Sequence, residues 1–192
     1  MTKTEEVSPD TDLLHVPRVF SDANVPPFQQ VEWEKRTAEI TGDDGKTVFK
    51  QMDVEVPKQW SELAVKVVVS KYFYGEQGTK QREKSVRDLI ARVCSTIAAW
   101  GLKQGYFDEA SASVFNDELT WLCVNQYVAF NSPVWFNVGL WDIYGVGKES
   151  SKGGYYYDKD SGSALRSHTQ YEYPQCSACF IQRVEDNMES IM

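Results

Sequence analysis

Residues 119–141 contain no charged side chain, and this run constrains the fold more than any other part of the sequence. An uncharged run of this length could cross a lipid bilayer as a helix. It also holds amide side chains such as those of Asn125 and Asn131, which would need internal partners in lipid, and Pro133 interrupts it. We therefore predict a buried helix followed by a buried strand, at residues 134–138, in a soluble protein with no membrane partner.

The composition and charge of the chain narrow its class further. It has 192 residues, of which 42% are hydrophobic and 13% aromatic, enough to bury a core. The formal net charge of −8 argues against a protein that binds nucleic acid through its phosphates. The start of the chain is too polar for a secretory signal, and four cysteines are too few for a disulfide scaffold. We therefore expect a cytoplasmic protein with reduced thiols.

Turn signals divide the first part of the chain into an arm and a hairpin. Residues 1–30 carry four prolines and few apolar clusters, so we expect an extended arm. Residues 31–40 and 47–56 favour strands around a turn at residues 42–45, which predicts a β-hairpin. One face of its second strand is predicted to carry Val48, Met52, Val54 and Val56.

Helices are predicted to follow this hairpin. A single apolar stripe predicts a helix over residues 85–100 that ends at Gly101, and Asp108 is a suitable N-cap for the next helix. An earlier helix is predicted from apolar residues at helical spacing, which are Trp60, Leu63, Ala64, Val67 and Val68.

The character of the sequence changes after residue 130, where strands are predicted in addition to the one at residues 134–138. The Gly- and Tyr-rich segment around residues 153–158 suggests a second hairpin. Residues 175–184 are predicted to form a further strand, and residues 188–191 look like the first turn of a helix.

Cys176 and Cys179 form a C-x-x-C motif that allows three interpretations. Half of a zinc site would need two further ligands, but the other cysteines, Cys94 and Cys123, lie on predicted helix stripes and are expected in the core. A thioredoxin-type centre would need a helix N-terminus to lower the thiol pKa, whereas the residues that follow favour a strand. The third interpretation is a pair of small, half-buried residues, and the motif alone favours it.

Short motifs along the chain become informative when they are taken together. In the second half they are NSPVWFN at 131–137, GGYYYD at 153–158, PQCSACF at 174–180 and VEDNMESI at 184–191. In the first half they are DVEVP at 53–57, WS at 60–61, KYF at 71–73 and REKS at 82–85. In this order they resemble the N-terminal portion of ribonucleotide reductase, most closely the class II, adenosylcobalamin-dependent enzyme.

This resemblance implies an α/β fold in two parts. After the arm of residues 1–30, residues 31–130 would form a mostly helical α+β domain with a β-hairpin. Residues 131–192 would supply the first strands of the ten-stranded catalytic α/β barrel of the family, which would be incomplete in this chain. The radical cysteine and most of the cobalamin site would lie downstream, so the isolated chain is expected to be inactive.

The resemblance also implies a reaction, the reduction of ribonucleotides to 2′-deoxyribonucleotides for DNA synthesis and repair. In the family, homolysis of adenosylcobalamin generates a thiyl radical that takes the ribose 3′-hydrogen, and the 2′-hydroxyl leaves as water. A cysteine pair supplies the electrons and closes to a disulfide, which a thioredoxin-type or dithiol reductant reopens. By its place in the Ser-Ala-Cys-Phe motif, Cys179 corresponds to the first member of this redox-active pair.

Binding residues follow from the same resemblance. Ser132 corresponds to a hydroxyl residue that contacts the ribonucleotide substrate. Ala178 corresponds to a position that contacts the substrate through its backbone, and Cys179 would also be part of the substrate-binding site. Asp186 falls in a segment that holds a nucleotide effector at a dimer interface in relatives, although a helix cap is an equal interpretation. Cys176 is not a redox thiol in this correspondence, and no metal ligand is assigned.

Two functions of other classes stay open at this point. An interaction module could keep the N-terminal fold without catalysis, and a small thiol or zinc protein could use Cys176 and Cys179. Within the reductase interpretation, the substrate is a ribonucleoside diphosphate or triphosphate, and the complete enzyme is a monomer or a homodimer.

Overall fold

A computed structural model describes residues 13–148, residues 153–179 and Met188. The described chain mixes helices with two small antiparallel sheets. Its strands are β1 (Trp33–Thr41), β2 (Thr47–Pro57), β3 (Tyr155–Asp158) and β4 (Ser163–Arg166). Its helices are α1 (Glu62–Lys71), α2 (Val86–Lys103), α3 (Glu109–Val124), α4 (Ser132–Asn137) and α5 (Leu140–Tyr144). A short 3-10 turn, Pro27–Gln29, precedes β1.

Strands β1 and β2 form the predicted antiparallel hairpin, but one feature of β2 differs from the prediction. The pairing register shifts near Asp53, whose φ is 56°, because β2 holds an extra residue there. A bulge of this kind moves the side chains that follow it to the opposite face of the strand. Val54 and Val56 are therefore buried whereas Val48 and Met52 are exposed, and the prediction that these four share a face is wrong.

Helix α1 forms as predicted, with Ser61 as its N-cap. Its buried residues are Val65 and Val69, whereas Leu63 is 72% exposed. Of the predicted stripe, Ala64 and Val68 pack against the core, whereas Leu63 and Val67 are exposed.

Helix α2 begins with a capping box between Ser85 and Asp88 and buries the predicted apolar stripe. The helix was predicted to end at Gly101, but it continues for two residues beyond this glycine, to Lys103. Gly105, whose φ is 72°, follows shortly after. Gly101 lies under the ring of Phe107, with which a Cβ at this position would collide. This glycine therefore permits a close contact, and the left-handed residue that follows the helix is Gly105.

Helix α3 is capped by Asp108, as predicted, and supports the arm. The backbone N–H groups of Phe20 and Ser21 each donate to the carboxylate of Glu118 at 2.8 Å. The ring of Phe20 also stacks on that of Trp121, with 5.4 Å between the ring centroids. These contacts hold the described part of the arm against α3.

The segment after residue 130 departs most from the prediction. Residues 134–138 are not a strand, because Asn131 caps helix α4 by accepting a hydrogen bond from the N–H of Val134 at 3.3 Å. Pro133 lies in the first turn of this helix, where a missing amide donor costs nothing. The predicted strand at residues 175–184 is also wrong over residues 175–179, which are irregular, and its other residues lie outside the described part. The second hairpin is confirmed as β3 and β4.

The core lies around α2, which packs against β2, α3, α4 and α5. Leu89, Ile90 and Val93 of α2 are fully buried. Trp135 and Val138 belong to the same core, so the segment after residue 130 is joined to the preceding domain by apolar packing. Across the described residues, none of the helices has the length and apolar character that a membrane span requires.

Candidate functional site

Ser132 is the first residue of α4, and it is half-buried. Its Oγ lies 3.1 Å from Oη of Tyr72, within hydrogen-bonding distance. A predicted substrate-binding residue is thus held by a side chain of the preceding domain.

The position of Tyr72 is itself well defined. It is the C-cap residue of α1, and its backbone N–H donates to the carbonyl of Val68 at 2.9 Å. Its ring packs against those of Trp135 and Phe136, with centroid distances of 6.4 and 5.3 Å. Aromatic contacts on α4 therefore fix the ring whose hydroxyl meets Ser132.

The other end of α4 is held by Arg92 of α2, which is buried. Its guanidinium donates to the carbonyl oxygens of Val138 and Trp135, at 2.5 and 3.2 Å. These are carbonyls at the C-terminal end of a helix, which lack partners within the helix. Arg92 therefore satisfies them in a place that water does not reach.

Glu83 supplies the counter-charge of Arg92. Its carboxylate accepts from Nε of Arg92 at 2.8 Å, and both side chains are only 1% exposed. The same carboxylate accepts from the backbone N–H of Tyr74 at 2.7 Å and from the hydroxyl of Tyr144 at 2.9 Å. Burial, followed by the negative charge of Glu83, raises the pKa of the Tyr144 phenol, which therefore stays a donor. One buried network thus joins α2, the loop before it, α4 and α5.

Gly139, between α4 and α5, is required by this network. Its φ is 78°, and a Cβ there would lie 2.6 Å from Cγ of Arg92 and 2.7 Å from Oγ1 of Thr96. Any other residue would meet both the strain of the left-handed region and a collision with the buried arginine.

The two cysteines of the C-x-x-C motif have different surroundings. Cys176 is half-buried and packs against the core, and burial raises the pKa of its thiol. Its Sγ lies 3.4 Å from the carbonyl oxygen of Pro174. Cys179 and its neighbour Ala178 are exposed. The prediction that Cys179 lies on a strand is wrong, because residues 175–179 are irregular. Asp186 lies outside the described residues.

Neither rival interpretation of the C-x-x-C motif gains support from the described residues. Residues 174–179 are irregular, so within this segment neither cysteine stands at the N-terminus of a helix, as a thioredoxin-type centre requires. The described chain holds no group of three or more His, Cys, Asp or Glu side chains that could bind a metal ion. Cys94 and Cys123 are buried in the core, as predicted, and a hydrogen bond with Cys123, together with burial, raises the pKa of Cys94.

Two cavities can be compared in size with cobalamin, the cofactor that the sequence resemblance implies. One, of about 300 Å³, lies beside Tyr72 and Trp135 and has a largely apolar lining. The other, of about 310 Å³, lies between β1 and α1. These volumes are at the lower end for sites of drug-sized ligands, and a corrin ring system is larger than such ligands. Neither cavity is large enough to hold cobalamin.

The structure brings some of the predicted site residues into one network and leaves others apart. Ser132 meets Tyr72, whereas within the described ranges no hydrogen bond joins Ser132 to Ala178 or Cys179. Tyr72 and Arg92, which hold α4, and Glu83, which pairs with Arg92, were not predicted from the sequence. One signal was available for the arginine, which lies three residues after Leu89 on the apolar stripe of α2, where a charge indicates a buried ion pair.

Comparison with known proteins finds the family that the sequence motifs resemble, and the similarity extends over both halves of the chain. Residues 34–126 match the family model described as class II vitamin B12-dependent ribonucleotide reductase. A vitamin B12-dependent ribonucleotide reductase of Rhodopirellula baltica is 51% identical over 168 residues, which are 86% of this chain and 16% of that protein.

Two further relatives of the same name extend the comparison. That of Streptomyces coelicolor is 38% identical over 181 residues, and that of Agrobacterium fabrum is 33% identical over 209 residues. These alignments cover 93% and 91% of this chain, and 16% of each relative. The chain thus spans about a sixth of the length of the curated proteins that it matches.

Proposed function

The chain belongs, as an N-terminal portion, to the class II vitamin B12-dependent ribonucleotide reductase family, and we propose that it contributes a substrate contact and one redox thiol to such an enzyme. The complete enzyme would reduce a ribonucleoside diphosphate or triphosphate to the 2′-deoxyribonucleotide for DNA synthesis. Its cofactor would be adenosylcobalamin, held mainly by residues outside this chain.

The observation that carries this proposal is the contrast between Cys176 and Cys179. A thiol that is oxidised and reduced in every cycle must be reached by substrate and by reductant, and Cys179 is exposed. Cys176, half-buried and with a raised pKa, is less available as a thiolate, which is the form that exchanges with disulfides. The contrast supports a role for Cys179 with a distant partner rather than with Cys176.

The redox step that we assign to Cys179 needs one further thiol, so that two electrons are available for the reduction of the ribose. The ribose 2′-hydroxyl leaves as water, the two thiols lose two electrons and two protons, and a sulfur–sulfur bond forms between them. A thioredoxin-type or dithiol reductant then reduces that disulfide by thiol–disulfide exchange. Only the first of the two thiols is assigned to this chain.

Further parts of the proposal concern the architecture. Residues 31–130 would form the N-terminal domain, which agrees with a family match over residues 34–126. Residues 131–192 would begin the catalytic barrel, with Ser132 and Ala178 beside the ribonucleotide. Asp186 would contact a nucleotide effector, in an enzyme that could act as a homodimer.

The direct test is the activity of the full-length protein that contains this chain. We expect it to form deoxyribonucleotide from ribonucleotide when adenosylcobalamin and a dithiol are both supplied. Chromatography of the nucleoside products, with each component omitted in turn, measures this activity. Unchanged product formation without cobalamin, or no formation with every ribonucleotide, would contradict the assignment.

Replacing Ser132 with Ala tests the proposed substrate contact. One neutral hydrogen bond contributes about 1 kcal/mol, so the Michaelis constant for the ribonucleotide should rise by a factor of about five. The measurement is steady-state kinetics of the full-length enzyme, with Ser95→Ala, an exposed position on α2, as the matched control. A lowered melting temperature with an unchanged Michaelis constant would instead make Ser132 a structural residue.

A further inference from the structure

We infer that Tyr72 is a positioning residue for the substrate site, because its hydroxyl fixes the direction in which the Ser132 hydroxyl points. This inference rests on the proposed contact between Ser132 and the ribonucleotide. It gives the N-terminal domain a part in substrate binding through a residue that does not itself touch the substrate.

Either hydroxyl group could donate in this contact, and their acidities favour one direction. A serine hydroxyl has one hydrogen to donate and two lone pairs, and so has a tyrosine hydroxyl. The phenol is the stronger acid, so at the observed separation of 3.1 Å it is the better donor toward Oγ of Ser132. The Ser132 hydrogen then remains free for another acceptor.

This direction of donation identifies the part of the substrate that Ser132 can meet. A serine whose lone pair is already occupied by a donor presents its O–H to a ligand. The complementary group is an acceptor oxygen, as found on a phosphate or a ribose. Without Tyr72, the hydroxyl would rotate freely, and binding the nucleotide would have to fix this rotation as well.

Tyr72 is rigid enough to serve in this way. Its backbone is the C-cap of α1, and its ring lies against Trp135 and Phe136, which both belong to α4. The helix that carries Ser132 therefore also holds the ring that orients it. At the other end of α4, Arg92 donates to the carbonyl of Val138, which prevents the helix from moving away from Tyr72.

The experiment is a double-mutant cycle in the full-length enzyme, with Tyr72→Phe, Ser132→Ala and both together. Tyr72→Phe should raise the Michaelis constant for the ribonucleotide by about threefold to fivefold, the effect of one neutral hydrogen bond, and leave kcat nearly unchanged. The double variant should show the same Michaelis constant as Ser132→Ala alone. The control is Tyr155→Phe, whose side chain is mostly exposed on β3 and should have no effect.

The possible outcomes separate this inference from the proposed function. If Ser132→Ala raises the Michaelis constant and Tyr72→Phe does not, the positioning role is wrong and the substrate contact stands. If neither variant changes it, the substrate contact itself is wrong. Additive effects would mean that Tyr72 acts independently of Ser132, and would also overturn the inference. A loss of stability in Tyr72→Phe would appear in both backgrounds, so the cycle still measures the coupling.

Discussion

Arg92→Met should lower the free energy of unfolding by about 3–5 kcal/mol, the usual effect of removing one partner of a buried ion pair. The replacement would leave Glu83 as an uncompensated charge with 1% exposure. It would also remove the donor to the carbonyls of Val138 and Trp135, at the end of α4. Urea denaturation followed by tryptophan fluorescence measures the change, since Trp135 lies beside the affected carbonyls.

A matched control distinguishes this buried pair from ordinary surface charge pairs. Lys58→Met breaks the surface pair of Lys58 with Glu32, in which the two side chains are 61% and 77% exposed, and should leave stability nearly unchanged because water already screens this pair. Combining Arg92→Met with Glu83→Gln should restore part of the loss, because no unpaired charge then remains buried. Equal effects of the Arg92 and Lys58 replacements would show that the buried network does not hold α4.

Elements with strong local signals could be predicted from the sequence. The turn at residues 42–45 predicted the β1–β2 hairpin, and Ser85 and Asp108 marked the starts of α2 and α3. In each case the residues that specify the element are its close neighbours in sequence. The resemblance to a known family was confirmed over a region that includes all of these elements.

Elements that depend on tertiary contacts or on one unusual backbone angle could not be predicted in the same way. The bulge at Asp53 reverses which face of β2 is buried, and no hydrophobic pattern reveals a positive φ at an aspartate. Residues 134–138 form too short an apolar run for its period to distinguish a strand from a helix. This element is the exception, because its cap at Asn131 is a local signal for a helix that the prediction of a strand overlooked.

The candidate site also combines residues that local motifs identify with residues that only the fold brings together. Ser132 and Cys179 were assigned from motifs that resemble a family, whereas their environments depend on residues distant in the chain. Tyr72 lies 60 residues before Ser132, and Arg92, which is paired with Glu83, donates to carbonyls at the other end of α4. Charged residues are placed in solvent by default in sequence analysis, so a buried ion pair is the feature that such analysis is least able to find.

Cys179→Ser should abolish multiple turnover of the full-length enzyme with a dithiol reductant, because a serine hydroxyl cannot form the disulfide that closes each cycle. Cys176→Ser is the matched control and should keep substantial activity, since this half-buried thiol is not assigned to electron transfer. The amount of deoxyribonucleotide formed per enzyme, over a time course, distinguishes the two variants.

Thiol accessibility provides an independent measurement of the same difference. Brief alkylation of the reduced enzyme followed by mass spectrometry should label Cys179 before Cys176, because burial raises the pKa of the Cys176 thiol and limits access to it. Equal loss of turnover in both variants, together with equal labelling, would indicate a redox pair within the C-x-x-C motif. The electrons for ribose reduction would then come from Cys176 and Cys179 themselves, and no thiol from outside this chain would be needed for that step.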